Sequence, residues 1–312
     1  MSDPLVLPVG VSIAIVAFLL SLLPAGFFLW VWYLRNRDRS LPAGTIAQAF
    51  GIGMLIVWPA FLLEKKAHQL WQIVSPATEQ YYSGSVLPLI SLQDIVLPAL
   101  ATFLIVALVE EGLRYGVLRY WIKRSKKIDQ VFDGLLIGVA VGLGFATLEN
   151  TLYFTNLLGD QQFDTLVFVF FLRFVISTLA HISFGGIMGT LIARGVFHMF
   201  NPRQYLLPAF FIPWFLHGLF DLLLGTGQGL YAIMILLPAL FTLILWTMKR
   251  EFYIVHRKDG AFLATSHMPE DPSMRALEAA VKTENSPWNK YAPWLNQNKS
   301  YRTILNVIKS NR

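Results

Sequence analysis

The sequence predicts an all-α fold: a polytopic membrane helix bundle of about seven transmembrane helices, followed by a polar C-terminal tail. Three observations predict it. Of the 312 residues, 55% are hydrophobic and only 14% are charged, against about a quarter charged in an ordinary soluble domain. Mean hydropathy is +0.54. The apolar residues also fall in long runs, most of them matching the length of about 20 helical residues that crosses a hydrocarbon core of about 30 Å. This balance excludes a soluble enzyme, a collagenous chain and a disordered chain. The sequence contains no cysteine, which excludes disulfides, thiolate metal sites and a cysteine nucleophile.

The runs lie at roughly 9–34, 44–63, 89–118, 132–156, 165–193, 205–225 and 230–248. The first follows Met1-Ser2-Asp3-Pro4, which has no basic stretch, and it is too long for a signal-peptide core, so it is expected to remain as a membrane helix. The fourth and fifth carry small residues at helical spacing: Gly134, Gly138 and Gly142, then Gly185 and Gly189. Such spacing lets helix backbones approach closely in lipid, and packing alone accounts for it. Residues 249–312 are polar. Short helices are expected at 274–282 and 301–309, separated by Pro287 and Pro293, with Trp288 and Trp294 as candidates for interfacial anchors. The organisation expected is 1–88 as two N-terminal helices with an external loop, 89–248 as a catalytic bundle of about five helices, and 249–312 as a cytoplasmic tail.

Charge is unevenly spread. The tail from Lys249 holds 11 Lys/Arg and 6 Asp/Glu, which is +5 of the net +6. Arg35, Arg37 and Arg39 follow the first run. Arg119, Lys123, Arg124, Lys126 and Lys127 follow the third, Arg194 and Arg203 the fifth, and Lys249 and Arg250 the seventh. Basic residues favour the cytoplasmic side in short loops. The expected topology is an integral protein of a bacterial-type cell membrane, N-terminus outside and C-terminus cytoplasmic, with Lys65 and Lys66 as the counter-evidence. Because the basic residues sit at membrane flanks and in the tail, the bilayer is the expected partner and nucleic acid is not.

Ionisable groups inside a bilayer are expensive, so each is a functional-site candidate. Glu110 and Glu111 follow an apolar run, and Arg114 is placed to face either of them on a helix. Glu149 and Asn150 lie in the fourth run and His181 in the fifth. His217 and Asp221 lie in the sixth, four residues apart on one helical face. Singly, each has a structural explanation: an interfacial ion pair, a helix–helix hydrogen bond, or a His–Asp couple that fixes a tautomer. Together, four runs each donate carboxylate or imidazole groups, which resembles a water-activation site. Adjacent glutamates are about 100° apart on a helix, so they should divide the work: one acts as general base on water, the other holds the arginine or a neighbouring helix. An imidazole orients the water or meets the oxyanion. Zinc held by His181, His217 and a carboxylate is the alternative. The sequence lacks H-E-x-x-H and G-x-S-x-G, which leaves the zincin and serine-hydrolase readings without support. Asp94 and Arg173, near the outer ends of their runs, fit a mutual pair or snorkelling better than catalysis.

The ordered set Glu110-Glu111-Gly-Leu-Arg114, Phe145-Ala-Thr-Leu-Glu149-Asn150, His181 and His217-Gly-Leu-Phe-Asp221 resembles the motifs of the PrsW-type intramembrane proteases. That family is related to the CAAX prenyl endopeptidase and bacteriocin-processing superfamily. The similarity covers roughly residues 95–225. It implies hydrolysis of a peptide bond in a membrane-anchored protein, with an anti-sigma factor as the substrate class associated with the family. It implies Glu110 as water activator with Glu111 beside it, His181 and His217 positioning water or oxyanion, and Asp221 supporting His217. It also implies glutamate chemistry with no required cofactor, although such proteins are often called metalloproteases. The CAAX-type pattern sets its arginine one residue further on and has histidine where Glu149 stands. The PrsW branch often has lysine where Arg114 stands, and the two are not equivalent. A proton-coupled transporter or channel and a non-catalytic membrane scaffold are the competing readings. On a ruler of about 1.5 Å per residue, straight parallel helices would leave Glu110 and Glu149 at different depths. Tilt, a break or a water-filled cavity is therefore expected, with Gly112 and Gly116 offering a place for a distortion.

Overall fold

The computed structural model describes residues 9–35, 41–74, 93–125, 127–128, 131–197, 203–226, 229–232, 234, 254–256 and 262–264. Six spans among them are long and apolar enough to cross a membrane: Gly10–Val31, Ala43–Trp71, Val96–Arg124, Val131–Gly159, Phe163–Val196 and Arg203–Gly225. The polytopic helical bundle is as expected. Most of the seventh run, the tail helices, Trp288 and Trp294 lie outside the described residues.

Helix α1 is Val9–Arg35. The second span is two helices, α2 (Ala43–Leu55) and α3 (Val57–Val74), which meet at Ile56 with its N–H still bonded to Ile52 O at 3.1 Å. The third is α4 (Gln93–Ala101), a π-helical turn at Thr102–Ala107, and α5 (Leu108–Arg124). The fourth, α6 (Val131–Gly159), is unbroken. The fifth is α7 (Phe163–Leu172), a second π-helical turn at Arg173–Ser177, and α8 (Thr178–Phe197). The sixth is α9 (Arg203–Gly225). A short antiparallel hairpin pairs β1 (Ile254–His256) with β2 (Phe262–Ala264) in the tail.

Helix α6 is the axis of the bundle: 94% of its most apolar window is buried, against 28–39% for the other spans. Glycine permits this. A Cβ at Gly138 would lie 2.0 Å from Gly185 O, and one at Gly185 would lie 2.2 Å from Gly138 O, so the two glycine stripes face each other and α6 and α8 touch backbone to backbone. On the opposite side, a Cβ at Gly144 would meet Phe50 O at 1.9 Å, which brings α2 equally close. Exposed apolar side chains such as Leu19, Trp58, Phe168 and Phe211 cover the outside, as a lipid-facing surface requires.

The distortion expected at Gly112 and Gly116 is elsewhere. Helix α5 runs regularly through both, and a Cβ at either would meet nothing within 4 Å. The ladder instead widens just before the glutamates, at Thr102–Ala107. Tertiary contacts hold it there. Trp214 Nε1 donates to Phe103 O at 2.8 Å, satisfying a carbonyl of the widened turn. The Phe103 ring fills the place where Gly218 lacks a side chain, since a Cβ there would lie 2.5 Å from Phe103 Cδ1. At the second π turn, Thr178 Oγ1 donates to Arg173 O at 2.8 Å. Such turns re-aim the side chains around them and are frequent at functional sites.

Candidate active site

Helix α5 aims its two glutamates differently. Glu110 lines an internal cavity, while Glu111 is fully buried behind it. Arg114, one turn on, serves both: Nη2 donates to Glu110 Oε2 at 2.5 Å, and Nη1 donates to Glu111 Oε1. Its guanidinium lies 4.2 Å from the centroid of Phe145, so the cation is clamped between two anions and an aromatic face. The spacing allowed either pairing; the fold uses both.

From α9, His217 Nδ1 is 2.7 Å from Glu111 Oε1, and Nε2 is 3.1 Å from Asp221 Oδ2 and 3.8 Å from Glu110 Oε2. Phe184 stacks on its ring with centroids 5.0 Å apart. An imidazole flanked by carboxylates on both nitrogens donates through both only as the imidazolium. With one proton fewer, one of the hydrogen bonds must take its proton from a carboxyl.

His181, on α8, has a defined tautomer. Its Nδ1 is 3.1 Å from Arg114 Nη2. Arginine has donors only, so Nδ1 accepts and Nε2–H donates to Glu149 Oε2 at 2.7 Å. Glu149 Oε1 pairs with Arg173 Nη2 at 2.8 Å. Arg173 Nε donates to Asn150 Oδ1 at 2.5 Å, and its guanidinium lies 3.9 Å from the centroid of Tyr153. A continuous polar chain therefore runs Asp221–His217–Glu111–Arg114–His181–Glu149–Arg173–Asn150, crossing four spans.

These groups surround a cavity of about 600 Å³. Glu110, Glu149, His181, His217 and Asp221 line it; Glu111, Arg114 and Asn150 stand behind them. All eight residues singled out in the sequence are brought together. The depth conflict is bridged by side chains, since Arg114 and His181 carry the contact from Glu110 to Glu149.

Two charged lining residues, Arg173 and Glu64, were not among the site candidates. Arg173 does not snorkel but opens the second π turn and grips Glu149; the side chain of Asp94 lies outside the described residues. The signal was present, because Arg173 is a charge in an apolar run just as Glu110 is. Glu64 was passed over because the second span was expected to end at 63. Helix α3 continues to Val74, carrying Glu64 into the cavity wall while Lys65 and Lys66 are exposed.

Six membrane-length spans, five of which line a cavity bearing carboxylate and imidazole groups, define a membrane-embedded protein with the groups of a hydrolytic site. The sequence comparisons agree. Residues 41–247 match the profile described as PrsW family intramembrane metalloprotease. Protease PrsW of Geobacillus kaustophilus is 28% identical over 225 residues, 72% of this chain and 84% of its own length. Protease PrsW of Clostridioides difficile is 28% identical over 252 residues, covering 78% and 94%, and that of Shouchella clausii is 31% identical over 155, covering 49% and 68%. No solved structure matches. The chain belongs to the PrsW family of intramembrane proteases. The match begins at residue 41, so the second span, outside the motif set, is part of it.

The family description names a metal, and the residues as arranged do not fit one. Both nitrogens of His181 are engaged, by Arg114 and Glu149, and both nitrogens of His217 face carboxylates that hold it. The Arg114 cation sits among the same groups. Among the described residues no three His, Asp or Glu side chains are arranged to hold a metal ion.

Proposed function

We propose that this protein cleaves a peptide bond of a membrane-anchored protein, with Glu110 activating the attacking water. The observation that carries the reading is that Glu110 lines the cavity while Glu111, its neighbour, is locked behind it between Arg114 and His217. Arg114 holds one Glu110 oxygen, and the other accepts a proton as the water oxygen attacks the scissile carbonyl carbon. His217 Nε2–H, which faces Asp221 at 3.1 Å, turns to the oxyanion as substrate enters, while Glu111 holds the ring through Nδ1. When the C–N bond breaks, Glu110 returns its proton to the leaving amine. His181 acts through Arg114 and Glu149, keeping both in register. No metal is required on this reading, and the substrate class is a single-span protein of the anti-sigma-factor kind.

The test uses purified full-length protein in lipid nanodiscs with a panel of single-span transmembrane substrates. Glu110→Gln should lower cleavage at least a hundredfold, in line with the 10²–10⁴-fold typical of general base catalysis, with the fold retained. Tight chelation should leave wild-type cleavage within about twofold. Full activity in Glu110→Gln would remove Glu110 as the base. Activity lost to chelator and restored by zinc would replace the glutamate mechanism with a metal one.

A further inference from the structure

We propose that Glu64 is a specificity-determining residue: its carboxylate is an anionic subsite that receives a lysine or arginine side chain of the substrate beside the scissile bond. The inference rests on the peptidase reading of the same cavity.

Four carboxylates line the cavity: Glu64, Glu110, Glu149 and Asp221. Three have a basic partner within this chain. Glu110 has Arg114, Glu149 has Arg173 and His181, and Asp221 has His217. Glu64 differs. It comes from α3, outside the motif-bearing spans, and its Oε1 is buried with no hydrogen-bond partner among the described residues. A carboxylate with one oxygen buried and the residue half-buried in a cavity wall either holds a proton or takes a counter-charge from whatever occupies the cavity. Among the described residues no ion pair to Glu64 is formed, and Arg114 and His217 act on it only through space while bound to other carboxylates. Lys65 and Lys66 are exposed and project about 100° and 200° further round the helix. The guanidinium of Arg173 is committed to Glu149, Asn150 and Tyr153.

The surroundings match the same ligand. Val57, Ala60, Phe61 and Glu64 all line the cavity, and their spacing of three, four and seven residues makes one face of α3. That face is an apolar strip about 10 Å long ending in a carboxylate. It complements a side chain with an aliphatic stem and a cationic head, which is the form of lysine and arginine. Glu110 and His217 stand on other walls of the same cavity, so the cation would sit close to the bond being cut.

The experiment compares transmembrane peptides that carry lysine, norleucine or glutamate in turn at each of the four residues on either side of the cleaved bond. For wild type, kcat/KM at one position should favour lysine over norleucine at least tenfold. Glu64→Gln should bring that ratio down tenfold, and Glu64→Lys should reverse it in favour of glutamate. Affinity of the same peptides for the Glu110→Gln protein, with and without Glu64→Gln, should show the same ratios without cleavage. Cleavage with a lysine preference unmoved by Glu64→Gln, or an equal loss for lysine and norleucine peptides, overturns the subsite and leaves the peptidase standing. Discrimination in binding that depends on Glu64, with no peptide cleaved, keeps the subsite and overturns the peptidase. Neither cleavage nor Glu64-dependent discrimination overturns both.

Discussion

Glu110 and Glu111 share a peptide bond and have opposite surroundings. Glu110 faces a cavity wide enough for water; Glu111 meets only protein, with Oε1 shared by Arg114 and His217 and Oε2 buried without a hydrogen-bond partner among the described residues. Removing either charge therefore tests different things. Taking one partner out of a buried ion pair leaves an uncompensated charge and costs about 3–5 kcal/mol. Glu111→Leu removes the acceptor shared by Arg114 and His217 and leaves each with one carboxylate partner, Glu110 and Asp221, so it should destabilise the fold by up to about that amount, read as a lowered midpoint of thermal or denaturant unfolding in detergent. Glu110→Gln keeps a hydrogen-bonding amide beside Arg114 and should shift the same midpoint by less than about 1 kcal/mol. Equal midpoints for the two variants would mean that the glutamates are structurally equivalent.

At the level of elements, the site depends on helices that approach without side chains between them and on two turns that break the α-helical ladder. Helix α6 carries Glu149 and Asn150, helix α8 carries His181, and the contact of Gly138 with Gly185 sets their separation. Gly138→Ala places a methyl group 2.0 Å from a backbone oxygen, where neither helix can yield without moving the polar chain. Overpacking of this kind costs about 1–3 kcal/mol, and the expected outcome is loss of activity with a lowered unfolding midpoint. Gly112→Ala is the control. Its Cβ meets nothing within 4 Å, and alanine is the better helix former by about 1 kcal/mol, so this variant should fold at least as well as wild type. The π turn at Thr102–Ala107 belongs to the same level, because Trp214 and Gly218 of α9 hold it and it sets the direction in which α5 presents its glutamates.

For the molecule as a whole, the cavity reaches from Glu110, within the third span, to Asn156, Leu224 and Gly225 near the ends of the fourth and sixth spans. The topology expected from the basic loops, with the N-terminus outside, puts those ends on the outer face and predicts that substrate enters from there. A chain with no cysteine makes the test direct. Asp160→Cys, in the exposed turn after α6, should react with a membrane-impermeant maleimide in intact cells. Lys127→Cys, exposed in the loop before α6, should react only after lysis. Labelling of Lys127→Cys alone in intact cells would invert the topology and place the cavity mouth on the cytoplasmic side.

The membrane class, the helical architecture and eight residues that line or back the cavity were legible in the sequence, because a charged or imidazole group within an apolar run has few reasons to be there and each such group stands out against hydrocarbon. Membership of the family was legible in the order of the motifs. What the sequence left open was geometry between spans. Whether Arg114 serves Glu110 or Glu111, which glutamate faces the cavity, and where the helices break were decided by contacts from other helices: His217 beneath Glu111, Trp214 on Phe103, and Gly185 against Gly138. Glu64 and Arg173 were visible as residues but not as members of the site. A helix end and a snorkelling cation produce the same local pattern as a cavity wall, and only the packing of α3 and α7–α8 around α5 and α6 tells them apart.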